Sequence, residues 1–173
     1  MNSLRGREPW LPAYVALGSN LQEPARQVRI ALDALAALPE TRLVAVSGLY
    51  RTAPMGPQDQ PEFVNAVAGL LTRLTPGALL RELKDLERAR GRPAESPRWG
   101  PRIIDLDIIA MGRLVVVEPG LCIPHPGSAQ RDFVLRPLAD IAPDLEIPGA
   151  GRVGDLLAAL GSGVLEMLQA PEQ

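Results

Sequence analysis

Ile103-Ile104-Asp105-Leu106-Asp107-Ile108-Ile109-Ala110-Met111 is apolar at every position except two aspartates. A run of this length and composition reads as a largely buried strand. Its place in the chain decides the fold. Just upstream, Gly91 to Pro101 is an irregular loop rich in Arg and Pro. Before that loop, Thr75 opens a helix that runs to about Arg90, with Leu79, Leu80, Leu83 and Leu86 on one face. Phe63 to Leu71 reads as a strand, and Arg51 to Pro61 carries three prolines and a glycine, too many for regular structure. A loop that long in a compact domain is usually functional. Arg42 to Tyr50 reads as one strand, Glu23 to Leu38 as a helix stopped by Pro39, and Tyr14 to Leu17 as a buried strand broken by Gly18-Ser19-Asn20.

Downstream, Arg113 to Val117 suggests an edge strand and Leu121 to Ser128 a loop. Arg131 to Ala139 suggests a short helix, and Val153 to Leu168 a terminal helical stretch interrupted near Gly161. The order β-α-β-β-α-β with C-terminal additions is the split βαβ plan. It implies an α+β, ferredoxin-like domain with helices on one face of a largely antiparallel sheet. Residues 1–12 hold charges and two prolines, and read as a flexible lead-in to a single domain over 13–173. That plan hosts unrelated functions, so chemistry must be argued from side chains.

Composition removes several classes of function. The 173 residues are 46% hydrophobic with a net charge of −2, so no global basic field recruits nucleic acid or an anionic membrane. Cys122 is the one cysteine and suits a reducing compartment. Met1 to Pro12 lacks the apolar core of a secretory signal, and no apolar run approaches a bilayer span. The expectation is a cytoplasmic monomer acting on small molecules, with neither nucleic acid nor membrane as partner. Lys84 is the one lysine among 18 basic residues. The abundance of Arg fits genomic base composition as well as phosphate binding.

On a strand, residues two apart face the same side, so Asp105 and Asp107 point together while Leu106 points into the other layer. Two carboxylates held side by side suit Mg²⁺, which completes its shell with water and substrate phosphates. Two solvated aspartates on an edge strand would look the same in so short a motif. The apolar flanks and the basic loop upstream favour the metal. That loop places Arg92, Arg98 and Arg102 within eleven residues, around Trp99. Guanidinium groups clamp phosphates and stabilise charge on a transferring group. Phe63 and Phe133, the two phenylalanines, fall at loop-to-element boundaries, where they could stack a flat heterocycle or simply pack in the core. Asn65 shares a strand face with Phe63 and offers an amide to a heterocycle edge. His125, between two prolines, is a structural histidine or a donor to phosphate.

These segments together resemble the 6-hydroxymethyl-7,8-dihydropterin pyrophosphokinase family. The likeness runs from about Tyr14 to Pro148, through Ala16-Leu17-Gly18-Ser19-Asn20-Leu21, the loop Tyr50 to Pro61 and Phe63-Val64-Asn65-Ala66. Its most specific part is Arg98-Trp99-Gly100-Pro101-Arg102-Ile103-Ile104-Asp105-Leu106-Asp107, and Pro124-His125 and Arg131-Asp132-Phe133-Val134-Leu135 follow. The resemblance implies transfer of pyrophosphate from ATP to the hydroxymethyl group of the pterin, with AMP leaving.

By position, it implies that Asp105 and Asp107 bind two Mg²⁺ ions and that Arg92 and Arg102 are catalytic loop arginines. Arg98 and Trp99 would close over the complex. Phe63 and Phe133 would sandwich the pterin, with Asn65 as its polar contact and Thr52, Pro54 and Met55 lining its pocket. His125 and Arg131 would touch the triphosphate, Ile108 the adenine, and Lys84 and Glu87 the nucleotide side. Phe63 stands where relatives often have Tyr, and Pro126 where some have Tyr, which puts one ATP contact in doubt. Two other readings carry less of the sequence. An RNA-binding split βαβ module would need aromatics on central strands and a basic face. A catalytically silent pterin binder would have no use for the acidic pair and the Arg loop.

Overall fold

The computed structural model describes residues 8–91, 99–161, 163 and 165–171. Arg92 and Arg98 therefore lie outside the described residues. The central sheet is antiparallel, and its long strands are β1 (Leu11–Ser19), β4 (Phe63–Thr72) and β5 (Asp105–Met111). β1 lies between the other two. β2 (Thr41–Val46) and β3 (Leu49–Thr52) pair with successive halves of β4. With β2 and β3 counted as one broken strand, the order is that of the split βαβ plan. The architecture is α+β, with an antiparallel sheet and helices packed on it.

Helix α1 (Pro24–Ala36) starts on a proline, which suits a first helical turn. It buries Val28, Ala31, Leu32 and Leu35. Helix α2 (Pro76–Ala89) is capped by Thr75, whose hydroxyl accepts from the Ala78 amide at 3.3 Å. Its buried stripe runs Leu79, Leu83, Glu87, so a carboxylate takes the place of the next leucine. Both helices cover the face of the sheet that carries Val15 and Leu17 of β1, Val64, Ala66 and Leu70 of β4, and Leu106 and Ile108 of β5.

The other face is covered by α3 (Asp132–Ile141) and α4 (Val153–Leu160), packed against Val67, Ile109 and Ala110. Helices thus occupy both faces, not one, because the C-terminal additions need an apolar surface of their own. A polar latch holds α3 to β3: Asp140 accepts from the Tyr50 hydroxyl at 2.8 Å and from the Gly48 amide at 3.0 Å. The short hairpins β6 (Val116–Glu118) with β7 (Leu121–Ile123), and β8 (Glu146–Ile147) with β9 (Gly151–Arg152), lie off the sheet.

Four sequence expectations are corrected. The run from Arg42 to Tyr50 is two strands, because the chain breaks at Ser47-Gly48. There a side chain on Gly48 would meet the Gln169 carbonyl at 2.8 Å. Arg51 and Thr52 continue β3 and do not belong to the loop. The terminal helical stretch ends at Leu160, and residues Glu166–Gln169 form β10 on the outer edge of β3. Finally, Leu11 and Pro12 already belong to β1, opposite Thr72 and Leu71. Trp10 beside them carries the guanidinium groups of Arg42 and Arg73 over its ring, each 4.7 Å from the ring centre.

Candidate active site

Small residues on the middle strand make room for the site. In the sheet register, Gly18 lies between Asn65 of β4 and Asp105 of β5, and Ala16 lies beside Asp107. Larger side chains at these two positions would fill the floor. A Cβ on Gly18 would already stand 3.2 Å from Asn65 Oδ1. The strand period that directs Leu17, Leu106 and Ala66 toward α1 and α2 turns Gly18, Asp105, Asp107, Phe63 and Asn65 to the opposite face. There they line one cavity with Thr52, Met55, Trp99, Arg102, His125, Arg131 and Phe133. β1, β4 and β5 supply the floor, and loops 53–62 and 99–102 form one wall. The stretch from His125 into α3 forms the other.

Arg102 and Asp105 form an opposed charge pair in the cavity. Arg102 Nη1 donates to Asp105 Oδ2 at 2.7 Å, and its Nε donates to the Gly100 carbonyl at 3.2 Å. Both side chains are mostly shielded, so the contact is a charge-assisted bond and not a surface ion pair. Across the cavity the Arg131 guanidinium lies 5.5 Å from the Trp99 ring centre. His125 is held by its backbone: its amide donates to Ile109 O at 2.9 Å, and its own carbonyl accepts from the Ser128 hydroxyl. Asn65 Nδ2 donates to Thr52 Oγ1 at 2.7 Å, and both side chains are buried. That bond fixes the amide where it lines the cavity together with both phenylalanines.

Asn20 joins the walls. Its amide nitrogen donates to Gln60 Oε1 and to the Pro61 carbonyl, each at 3.0 Å, and its Oδ1 accepts from the Arg102 amide at 2.8 Å. Gln60 Nε2 donates in turn to the Trp99 carbonyl at 2.9 Å. Gly56 packs directly on Trp99, where an added Cβ would fall 2.5 Å from the Trp99 Cβ. Trp99 itself has φ of +67°, a left-handed backbone that is costly for a bulky residue and is kept only where the surroundings enforce it.

Of the residues named from sequence, Thr52, Met55, Phe63, Asn65, Trp99, Arg102, Asp105, Asp107, His125, Arg131 and Phe133 come together. Pro54 is buried beside the cavity without lining it, and its carbonyl accepts from Gln58 Nε2 at 2.8 Å. Ile108 does not line this cavity: its side chain lies in the core beneath α1 and α2, one residue out of phase with the acidic pair. Lys84 and Glu87 stand apart from this cavity as well. They lie behind β5, bonded to its backbone and not lining the cavity. Sequence reading missed Gly18, Asn20, Gly56 and Gln60 as site residues. Gly18-Ser19-Asn20 at the end of β1 was the visible signal, read as a turn and as part of the family likeness but given no role in the site.

Residues 14–143 match the family described as 7,8-dihydro-6-hydroxymethylpterin-pyrophosphokinase (HPPK). A Pseudomonas aeruginosa protein named 2-amino-4-hydroxy-6-hydroxymethyldihydropteridine pyrophosphokinase is 54% identical over 146 residues, covering 84% of this chain and 90% of the relative. A Haemophilus influenzae protein of the same name is 44% identical over 147 residues, covering 85% of this chain and 91% of that one. The crystal structure of wild-type Plasmodium falciparum HPPK-DHPS with SDX-DHP superposes with a TM-score of 0.70 at 15% identity. It covers 90% of this chain and 45% of that one, so this chain spans less than half of its length, and the likeness is one of fold.

Proposed function

This chain belongs to the HPPK family, and on that premise we propose how its residues carry out the transfer of pyrophosphate from ATP to 6-hydroxymethyl-7,8-dihydropterin, with AMP as the leaving product. One observation carries the assignment. A pair of carboxylates, two guanidinium groups and two phenylalanine rings open on the same cavity, the means to hold a polyphosphate against a flat heterocycle.

Phe63 and Phe133 flank the pterin, since a flat ring system gains most from offset stacking on aromatic faces. Thr52 fixes the Asn65 amide, which then offers Oδ1 and its remaining N–H to the ring edge. With the ring held in this way, the hydroxymethyl oxygen stands toward β5 and in line for the β-phosphorus. Arg131 and His125 bind phosphate oxygens from the α3 side, and Arg102 binds them from the loop side. Trp99 covers the opening. Roles for Arg92 in charge stabilisation and Arg98 in closure rest on the sequence alone.

The donor set fits a hard divalent cation. Asp105 and Asp107 share a strand face and open into the cavity. Among the described residues no cluster of three or more His, Cys, Asp or Glu stands ready for a metal. Two carboxylates with the rest of the shell left to phosphates and water is the pattern Mg²⁺ prefers. Asp105 and Asp107 would hold two such ions, which neutralise phosphate charge and lower the pKa of the attacking hydroxyl. Arg102 guards Asp105 in this structure and becomes available to phosphate when the carboxylate is otherwise engaged.

No helix among the described residues is long and apolar enough to cross a membrane. A single chain provides both carboxylates, both rings and the guanidinium groups, so the site needs no second subunit, and the protein is read as a monomer acting on small molecules. Product analysis tests the function: purified protein with MgATP and reduced hydroxymethylpterin should give AMP and the pterin diphosphate, dependent on both pterin and Mg²⁺. ADP would overturn the assignment to β-phosphorus attack, and pterin binding without either product would favour the silent binder.

A further inference from the structure

Glu87 is 2% exposed and interrupts the apolar stripe of α2. Its Oε1 accepts from the Leu106 amide at 2.7 Å and from Lys84 Nζ at 3.0 Å. Lys84 Nζ also reaches the Leu106 carbonyl at 3.4 Å. These two side chains therefore meet both backbone groups of one residue, the one between Asp105 and Asp107.

The sheet explains why those groups need partners. Among the described residues β5 is an edge strand that pairs with β1 on one side. In an antiparallel ladder alternate residues direct their N–H and C=O away from the neighbouring strand. Leu106 is such a residue, and buried backbone groups left without partners are costly. The Lys84–Glu87 pair stands where a further strand would otherwise be. A buried carboxylate is an expensive way to fill that place, since a leucine would continue the stripe and bury apolar surface instead.

We infer that Lys84 and Glu87 are positioning residues for the acidic pair, gripping the Leu106 peptide from behind so that Asp105 and Asp107 keep the spacing a bound cation requires. The inference rests on the proposed metal-dependent reaction. Neither side chain lines the cavity that holds Asp105 and Asp107, and both bond to the backbone of the residue between them. Outer groups that orient metal ligands matter because a ligand free to rotate must be ordered each time the ion binds.

The test uses full-length protein and the variants Glu87→Leu, Glu87→Gln and Lys84→Met. Mn²⁺ binding in the presence of a non-hydrolysable ATP analogue is followed by water-proton relaxation, alongside the Mg²⁺ dependence of AMP formation. Glu87→Leu should weaken Mn²⁺ binding by about tenfold or more, with the KM for pterin unchanged. Glu87→Gln keeps an oxygen for the Leu106 amide and should recover most of the affinity, with Lys84→Met between the two. Unchanged Mn²⁺ affinity in Glu87→Leu would overturn the inference. So would equal losses of metal, nucleotide and pterin binding that follow the fall in Tm. Should Glu87→Leu fail to fold, equal Mn²⁺ affinity in wild type and Lys84→Met would overturn it. AMP formation by a wild type whose variants bind Mn²⁺ normally removes the positioning role alone. Mn²⁺ binding that depends on Glu87 in a wild type that makes no AMP removes the proposed reaction alone.

Discussion

The two faces of the central sheet are made by alternate residues of the same strands, yet they do different work. One face is closed by α1 and α2 over an apolar layer in which Leu17, Leu106 and Leu83 are fully buried. On the other, α3 and α4 cover one end over Val67 and Ile109, and the remainder is a cavity floored by Ala16 and Gly18. Stability is gathered on the closed face, where close packing and apolar area can be maximised. Chemistry is gathered on the open face, where small side chains leave space and polar ones need room for ligands. Neighbouring residues in β5 should therefore fail in different ways when they are changed.

The sharpest comparison is Asp107 against Leu106. Asp107→Ala should lower kcat by roughly a thousandfold or more, the scale of losing a metal-held charge, with Tm little changed. Steady-state kinetics beside a thermal melt decides it, and full activity would remove Asp107 from the metal site. Leu106→Ala should do the reverse: about 2–5 kcal/mol of stability lost on chemical denaturation, with turnover retained in the fraction that stays folded. If both variants lost activity at unchanged stability, the division between the faces would be wrong.

Smaller effects belong to the walls of the open face. Gly56→Ala pushes against Trp99 and should part the two loops. About a tenfold fall in kcat/KM is expected, a misplacement of modest size, with Tm close to wild type. The weakest effect tests how α3 is fastened. Tyr50→Phe removes the hydroxyl bonded to Asp140 and should cost about 1 kcal/mol near neutral pH. Burial and then the Asp140 carboxylate raise the Tyr50 phenol above its usual 10.0. The folded protein keeps that proton longer than the unfolded chain, so the stabilisation is complete below pH 10.0 and is lost as pH rises through the folded pKa. Phe does not titrate, so melts taken across that range should show the wild-type advantage shrinking.

Much of this division was legible in the sequence because period and composition are local properties. The two-residue repeat put Asp105 and Asp107 on one side and Leu106 on the other, and the helix repeat put Leu79 and Leu83 against the sheet. The same parity places the Ile108 side chain in the core. What stayed hidden depends on distant partners. Asn20 is set by bonds to residues 40 and 82 positions away, and nothing beside it in the chain announces them. β10 reads as helix because Met167 and Leu168 carry no period of their own, and the strand forms because β3 offers an open edge 115 residues earlier. Glu87 was named only by its position in the family likeness, and its bond to the Leu106 amide was hidden because a backbone N–H is a group every residue but proline possesses.

The clasp on Leu106 also bears on how the protein behaves in a crowded solution. A bare outer edge on β5 would be a template for strands of other molecules, with the acidic segment as the first point of capture. Glu87 and Lys84 occupy that edge at Leu106, and the His125 amide occupies the Ile109 carbonyl further along. Foreign strands thus find the ladder already taken at two places, and the segment with the most exacting geometry is kept from sheet-to-sheet aggregation.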